Sequence, residues 1–174
     1  MIKTVRGFIL CLLGINLFLW SIIGVMTCNK LEYKESHAYI PHQEVLNPVL
    51  TNEEAIYLIN NLVNKDFEIE YVDNVTYDGQ VTFFALFDNT IRINSAIIDN
   101  SPRFIWTYAH EVVHATKFYL DECKTQYYTF VLLYESTNQY LQDVSLYQAS
   151  NMINNTHKEY DATYYIAQYL QKTA

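Results

Sequence analysis

The sequence is poor in glycine, proline, cysteine and basic residues. Only four of its 174 residues are glycine and three are proline, which argues against a long disordered or low-complexity tract. Three cysteines are too few for a disulfide framework. Lysine and arginine total 11 against 19 acidic residues, and the net charge of −8 makes nucleic acid an unexpected partner. The length suits one domain with a core of its own.

The first 28 residues combine two basic side chains with a long uncharged stretch. Lys3 and Arg6 precede the run from Gly7 to Cys28. About twenty helical residues span roughly 30 Å, the hydrocarbon thickness of a bilayer. The pattern therefore predicts a membrane anchor or signal segment at residues 1–28. Because the run is long and no small-residue cleavage site follows it, an uncleaved signal anchor is favoured.

The orientation and processing of this segment have alternatives. Basic residues before the span favour a cytoplasmic N-terminus with the domain outside the cytoplasm, although Lys30 and Lys34 on the other flank weaken that bias. The stretch VMTC resembles a bacterial lipoprotein signal, so a lipid anchor at Cys28 is the alternative. Outside the cytoplasm, Cys28 could pair with Cys123, whereas unpaired thiols are the simpler interpretation.

The folded domain is expected to begin after a tether. Residues 29–50 contain two prolines and several charges and are predicted to be that tether, which leaves residues 51–174 as the domain. The stretch TNEE fits a capping box, in which Thr51 and Glu54 satisfy each other's backbone donors at the start of a helix.

Three short segments after this helix have strand patterns. Residues 67–73 and 90–94 alternate apolar and polar side chains, and residues 81–87 are apolar enough for a more buried strand. An Asp-Gly turn signal precedes the second segment, and an Asp-Asn turn signal precedes the third. The pattern predicts a small antiparallel sheet of about three strands.

Three helices are predicted after the strands. Ser101-Pro102 marks the start of a helix that runs to about Leu120, and further helices are predicted at roughly residues 124–143 and 157–172. Strands and helices are thus segregated along the chain. This order is typical of an α+β fold, with the sheet packed on the first of these helices and on the C-terminal ones.

The first of these predicted helices carries the sequence HEVVH. His110 and His114 lie one turn apart on one face, with Cβ atoms about 5–6 Å apart, so both imidazoles can reach one Zn²⁺. Glu111 is offset by about 100° around the helix, which suits a general base acting on a water better than a third ligand. The alternative is a buried helix whose histidines make ordinary hydrogen bonds.

HEVVH on a helix that follows a strand resembles the zincin metallopeptidases. The closer resemblance is to minimal gluzincin-like peptidases of bacterial and phage type, whose third ligand is a downstream glutamate. It implies a zincin-like fold, a Zn²⁺ cofactor, and a peptide or protein substrate held in extended form by the strand at residues 90–94. Leu120 stands where the metzincin branch has a third histidine, which excludes that branch.

Two glutamates compete for the position of the third ligand. Glu159 extends the apolar stripe of the last predicted helix, and EYDA resembles the ExxA segment that supplies this glutamate in several zincin families. Glu159 also fits a capping box with Thr156, which would give it a structural role. The alternative ligand is Glu135, whose spacing from His114 resembles the thermolysin-like pattern, although Gln139 replaces the aspartate of that pattern.

The residues flanking Glu159 complete the predicted site. His157 and Tyr160 are candidates for stabilising the oxyanion, a role that the resemblance implies. The sequence as a whole predicts a membrane-anchored zinc metallopeptidase in which Glu111 activates water. Two alternatives stay open, a catalytically inactive zincin-like binding or assembly protein and a membrane-anchored structural protein without metal.

Overall fold

The chain forms a three-stranded sheet and a set of helices, which a computed structural model describes for residues 14–21, 40, 48–73, 75–81, 89–152 and 162–174. The predicted α+β class is confirmed. Residues 14–21 are helical. The elements that follow are α1 (Asn52–Val63), β1 (Glu68–Val72), β2 (Gly79–Val81), β3 (Thr90–Asn94), a 3-10 turn (Ser95–Ile97), α2 (Ser101–Thr116), α3 (Glu122–Tyr134), α4 (Gln139–Met152) and α5 (Thr163–Thr173).

Helix α1 begins at the predicted capping box and is joined to the core through α2. The Glu54 N–H donates to the Thr51 hydroxyl at 3.2 Å, and the Thr51 N–H donates to the Glu54 carboxylate at 2.8 Å. Farther along the helix, Asn60 Oδ1 accepts a hydrogen bond of 2.6 Å from the buried Tyr108 hydroxyl of α2. This bond satisfies two buried polar groups and fixes how the two helices meet.

In the part of the chain that the structure describes, the sheet has three strands, the number predicted, but it is mixed rather than antiparallel. The strand order is β1-β3-β2, and β3 runs parallel to β1 and antiparallel to β2. The antiparallel prediction was wrong for β1, which pairs in parallel with β3 and not with β2, the strand that follows it in sequence. Strand β2 begins after the turn at Asp78 and pairs with β3, the strand that follows it. Strand β3 therefore lies between β1 and β2. Of the predicted strand at residues 81–87, only Val81 lies in the described part of the chain, where it ends β2.

Strand β3 occupies the centre of the sheet. Ile91 and Ile93 are fully buried on the face toward α2, while Arg92 points away and binds Glu70 of β1 at 2.7 Å. Because β1 and β2 occupy both edges of β3, residues 90–94 have no open edge. The expectation that this strand pairs with an extended substrate is therefore wrong, and among the described residues β2 is the edge strand on that side.

Helix α2 is the central element of the fold. It packs against α1, the sheet, α3 and α4. Its N-cap is Asn100, whose side chain accepts from the Arg103 N–H at 3.3 Å, so Ser101 is the first helical residue and not the predicted cap. The helix ends at Thr116, one turn before the predicted Leu120, because the chain turns back at Lys117. This early end brings α3 close to the last turn of α2.

The described residues of the C-terminal part contain one more helix than expected. The helix predicted at residues 124–143 is broken into α3 and α4, since the Asn138 side chain accepts from the N–H groups of Tyr140 and Leu141 and starts a new helix. Helix α5 begins at Thr163, and the earlier part of the helix predicted at residues 157–172 lies outside the described residues.

Two hydrophobic clusters form the described core. The larger one joins α1, the sheet, α2, α3 and α4, and the smaller one joins α3, α4 and α5. Trp106 of α2 packs against both clusters. Ile40, within the predicted tether, is 3% exposed in the smaller cluster, so at this point the segment belongs to the folded part of the chain.

The predicted membrane segment falls mostly outside the described residues. In residues 14–21 the helix presents Leu17, Phe18 and Trp20 with about two-thirds of each side chain exposed, at 69%, 65% and 68%. Within the part of the chain that the structure describes, no helix has the length and apolar character needed to cross a bilayer. Cys28 is likewise outside the described part, and Cys123 is buried.

Candidate metal centre

The two histidines of HEVVH converge as their spacing predicts. His110 and His114 lie one turn apart on α2, and their Nε2 atoms are 3.1 Å apart. The rings are nearly perpendicular, with centroids 4.7 Å apart. Both side chains are mostly covered, at 15% and 22% exposure, so the two nitrogens meet at the edge of the core and not in open solvent.

The residue that completes the cluster is Glu122, from the start of α3. Its Oε2 atom lies 3.1 Å from His110 Nε2, and its Oε1 atom lies 3.1 Å from His114 Nε2. The Asp121 side chain accepts from the Lys124 N–H at 2.8 Å and caps α3, which makes Glu122 the first helical residue. The short turn after α2 therefore places this carboxylate beside the last turn of the preceding helix.

The geometry of these three side chains fits a small divalent cation. His110, His114 and Glu122 form a group that could hold a metal ion. Two imidazole nitrogens and one carboxylate oxygen are a ligand set that zinc accepts, and bonds of about 2.0–2.1 Å in a tetrahedron separate the ligand atoms by roughly 3.3–3.4 Å. The observed separations of 3.1 Å need to widen only slightly to meet that value.

With Glu122 ionised, hydrogen bonds alone cannot satisfy this triangle. If both Nε2 atoms carry a proton for Glu122, two N–H donors face each other across 3.1 Å. If one proton is absent, that lone pair faces the carboxylate of Glu122. Each arrangement leaves one of the three contacts repulsive. A cation removes the conflict because all three groups then direct lone pairs at it.

The ionisation of the cluster follows from the same contacts. Hydrogen bonds from His110 and His114 hold the pKa of the Glu122 carboxyl well below its usual range. Burial disfavours the charged form of His114, but the hydrogen bond and negative charge of Glu122 outweigh it and raise the pKa of His114. Glu122 is therefore ionised over the physiological range, as a metal ligand must be.

A pH profile should report these shifts in the metal-free chain. Because the pKa of Glu122 is lowered, its stabilisation is present above its ordinary pKa of 4.5 and is lost as the pH falls through the lowered value. Because the pKa of His114 is raised, its stabilisation is present below 6.5 and is lost as the pH rises through the raised value. The pair thus stabilises most between pH 4.5 and 6.5.

Urea unfolding of the chelator-treated full chain across this range measures the effect. Glu122→Gln should lower the free energy of unfolding, relative to wild type, most strongly between pH 4.5 and 6.5. The reason is that glutamine carries no charge. Superimposable profiles for wild type and Glu122→Gln would contradict the described pairing.

Glu111 lies beside the cluster but faces the sheet. Its side chain is buried, at 7% exposure, and its carboxylate accepts a hydrogen bond from the Val81 N–H of β2. Since the Asn94 N–H donates to the Asp78 carbonyl, the alternation of an antiparallel pair turns the Val81 N–H away from β3 and toward α2. Burial raises the pKa of the Glu111 carboxyl, with the nearby histidines opposing that effect.

Gly79 lets the edge strand approach this carboxylate closely. A Cβ atom at this position would lie 2.6 Å from Thr107 Cγ2, 2.8 Å from Glu111 Cγ and 3.0 Å from Glu111 Oε1. Real Cβ atoms do not make contacts this short, so any other residue would push β2 away from α2. The glycine is needed for close approach and not for an unusual backbone angle, because its φ is not positive.

We expect Gly79→Ala to lower the free energy of unfolding by about 1–3 kcal/mol, because the methyl group overpacks the contact between β2 and α2. Urea unfolding of the full chain measures the change. Gly14→Ala is the matched control, since a Cβ at Gly14 meets nothing within 4 Å. Equal stability of the two variants would mean that β2 does not lie this close to Glu111.

An open cleft of about 370 Å³ gives access to the cluster. Besides His110, Glu111 and Glu122, its walls are formed by Asp78, Trp106, Thr107 and Gln126. The cleft thus joins the edge strand to one face of α2 and to the first turns of α3. A substrate in it would lie beside both the metal-binding group and the buried carboxylate.

The other predicted site residues do not join this group. Glu135 follows the last helical residue of α3 and accepts a hydrogen bond of 2.7 Å from the Tyr169 hydroxyl, which raises the pKa of Tyr169 to about 12. The structure therefore does not bring Glu135 to the histidines. Glu159, His157 and Tyr160 lie outside the described residues, so their predicted roles stay predictions.

Sequence reasoning missed Glu122, although a signal was present. The pair Asp121-Glu122 directly follows the predicted end of the motif helix at Leu120, and this is the usual composition of a helix start. Because the next helix was predicted to begin at residue 124, its N-cap at Asp121 was overlooked. A helix that begins at Glu122, after a short turn, must lie antiparallel to α2 and return to its last turn, where His114 lies.

Comparison with known proteins adds no family. No protein-family model matches the chain, and no curated protein or solved structure shows a significant match to it. The function must therefore be inferred from the geometry of the cluster and the cleft.

Proposed function

We propose that the protein is a zinc-dependent metallopeptidase with a zincin-like fold, in which His110, His114 and Glu122 hold Zn²⁺ and Glu111 is the general base. The observation that carries this proposal is the convergence of two imidazole nitrogens and one carboxylate within 3.1 Å of one another, beside a buried glutamate. A glutamate as third ligand agrees with the resemblance to gluzincins. The ligand proposed here, however, is Glu122 and not Glu159 or Glu135.

The chain's own residues would divide the chemistry between them. Zinc bound at this site would supply a Lewis acid that polarises the substrate carbonyl and acidifies water. Glu111 accepts the proton of the attacking water and passes it to the leaving amine. Its raised pKa brings it nearer to neutrality than an exposed glutamate, which suits a group that must both take and release a proton. The Val81 N–H keeps its carboxylate oriented during both steps.

The edge strand supports a peptide as the substrate. In the described residues β2 has a neighbour on one side only, and Asp78, the residue just before β2, lines the cleft. The outward Val81 N–H is taken by Glu111, so Gly79 is the residue of this edge whose outward backbone groups would pair with a substrate. An extended peptide can align with such an edge. This role replaces the one predicted for residues 90–94.

The test of this proposal is metal-dependent cleavage. The full chain, purified without chelators, should contain about one zinc per chain and cut members of a peptide library. A chelator should abolish the cleavage and added zinc should restore it. Zinc without cleavage would favour a zincin-like binding or assembly protein, and absence of zinc would favour a structural role for the histidines.

We also propose that residues 7–28 anchor the domain in a membrane. The support is the uncharged run in the sequence and the exposed apolar side chains of the helix at residues 14–21. A helix surface of this kind is unfavourable in water and favourable in a bilayer.

The full chain should therefore stay in the membrane pellet after an alkaline wash. Leu17→Arg with Phe18→Arg should release it, because each central charge costs about 2.5–3.5 kcal/mol on insertion scales. Leu62→Arg is the matched control, since Leu62 is an exposed apolar residue of α1 at 41% exposure. Recovery of wild type in the soluble fraction would contradict the anchor.

A further inference from the structure

The polar lining of the cleft consists mainly of hydrogen-bond acceptors. Asp78, Glu111 and Glu122 contribute three carboxylates, and no lysine or arginine is among the described residues that line the cleft. Glu122 is assigned to the metal and Glu111 to proton transfer in the proposed function. Asp78 has no part in either role, so its place in the wall needs a separate explanation.

The position of Asp78 is fixed by its neighbours. Arg103 donates from Nε to Asp78 Oδ2 and from Nη2 to Oδ1, both at 2.8 Å. The Asn94 N–H donates to the Asp78 carbonyl at 2.8 Å, which holds the backbone of the turn. Each carboxylate oxygen has a second lone pair, and the Asp78 side chain is 37% exposed. Arg103 therefore orients Asp78 without using up its capacity to accept.

Trp106 places an aromatic ring in the same cleft. It lies one helical turn before His110 and lines the cleft together with Asp78. An indole beside a carboxylate attracts cations, because the ring face and the charge both interact favourably with an ammonium or guanidinium group. A neutral or acidic side chain gains neither interaction.

Gln126 adds an unsatisfied acceptor to the wall of the cleft. It lies one turn after Glu122 on α3 and lines the cleft. Its Oε1 atom is buried and has no hydrogen-bond partner in the described part of the chain. A donor that enters the cleft could remove this deficit, whereas an acceptor would add to it.

We propose that the cleft binds a positively charged lysine or arginine side chain of the substrate, with Asp78 as its counter-ion and Trp106 as its aromatic contact. The proposal rests on the proposed peptidase function for one point, that the charged residue lies next to the scissile bond. Asp78 and Trp106 are thus specificity-determining residues. The net charge of −8 draws cationic peptides toward the same molecule from a distance.

The experiment uses the zinc-loaded full chain and two matched probe sets. One set consists of peptides that differ only in carrying lysine, norleucine or glutamate beside the cleavage site. The other consists of peptidyl hydroxamates with the same three side chains, whose binding is measured without turnover. Wild type should prefer lysine over norleucine by about tenfold in kcat/KM and in Kd, and should take glutamate least well.

Two variants should move this preference in opposite directions. Asp78→Asn removes the counter-ion and should abolish the preference for lysine, while Arg103→Gln removes the competing cation and should increase it. Glu70→Gln is the control, because Glu70 also pairs with an exposed arginine, Arg92, but lies outside the cleft. It should leave the preference unchanged. Circular dichroism checks that each variant is folded.

The outcomes separate this inference from the proposed function. Equal use of lysine and norleucine, or a preference for glutamate, overturns the inference even if the chain is a peptidase. A lysine preference that survives in Asp78→Asn overturns it as well. If the zinc-loaded chain cleaves nothing, the proposed function fails, and the hydroxamate series alone decides whether the cleft selects a cation.

Discussion

Glu122→Gln should weaken zinc binding by more than about 100-fold, whereas Glu135→Gln should leave it unchanged. Glu122 supplies the only carboxylate in the described chain that lies within 3.1 Å of both histidine Nε2 atoms. A glutamine at this position keeps the size of the side chain but loses the negative charge that offsets the cation. Metal analysis after equilibration with a competing chelator measures the loss.

Glu135 is the appropriate control because its environment is known. It is the C-cap residue of α3, and its carboxylate accepts a hydrogen bond from the Tyr169 hydroxyl rather than facing the histidines. Glu159→Gln belongs in the same series, since Glu159 is the ligand that the sequence favoured. Loss of zinc from Glu159→Gln but not from Glu122→Gln would show that the third ligand is Glu159.

Glu111→Gln should lower kcat for peptide cleavage by roughly 10²–10⁴-fold and leave the zinc content unchanged. The carboxylate of Glu111 is held by the Val81 N–H beside the sheet and is not part of the metal-binding group. The amide oxygen of glutamine can still accept that hydrogen bond, so the fold should tolerate the change. What is lost is the ability to take a proton from water.

The matched control for this prediction is Glu70→Gln, which removes an exposed carboxylate on the sheet. Its turnover should equal that of wild type. If Glu111→Gln turned over as fast as the control, Glu111 would not be the general base. If it instead lost its zinc, Glu111 would be a ligand, which would require a different arrangement of the site.

The sequence predicted local features well where short-range chemistry determines them. The capping box at Thr51, the alternation of residues 90–94 and the convergence of His110 and His114 all depend on contacts between residues a few positions apart. These features need no information about the rest of the fold. They were correct for that reason.

Predictions that depend on long-range pairing failed. The parallel alignment of β1 with β3 depends on how the segment between them crosses the sheet, and local turn signals carry no such information. The role of Glu122 was missed for a related reason. Resemblance directed the search for a third ligand to distant helices, whereas the early end of α2 at Thr116 brings a much nearer carboxylate into reach.

The short spacing of the three proposed ligands has a consequence for how the protein folds. His110, His114 and Glu122 all lie on one helical hairpin, and only the turn between α2 and α3 must close to bring them together. The entropy lost in closing so short a loop is small, so this contact can form early. A zinc ion captured by the hairpin would then hold α2 and α3 together while the sheet, whose parallel pair requires distant segments to meet, is still forming.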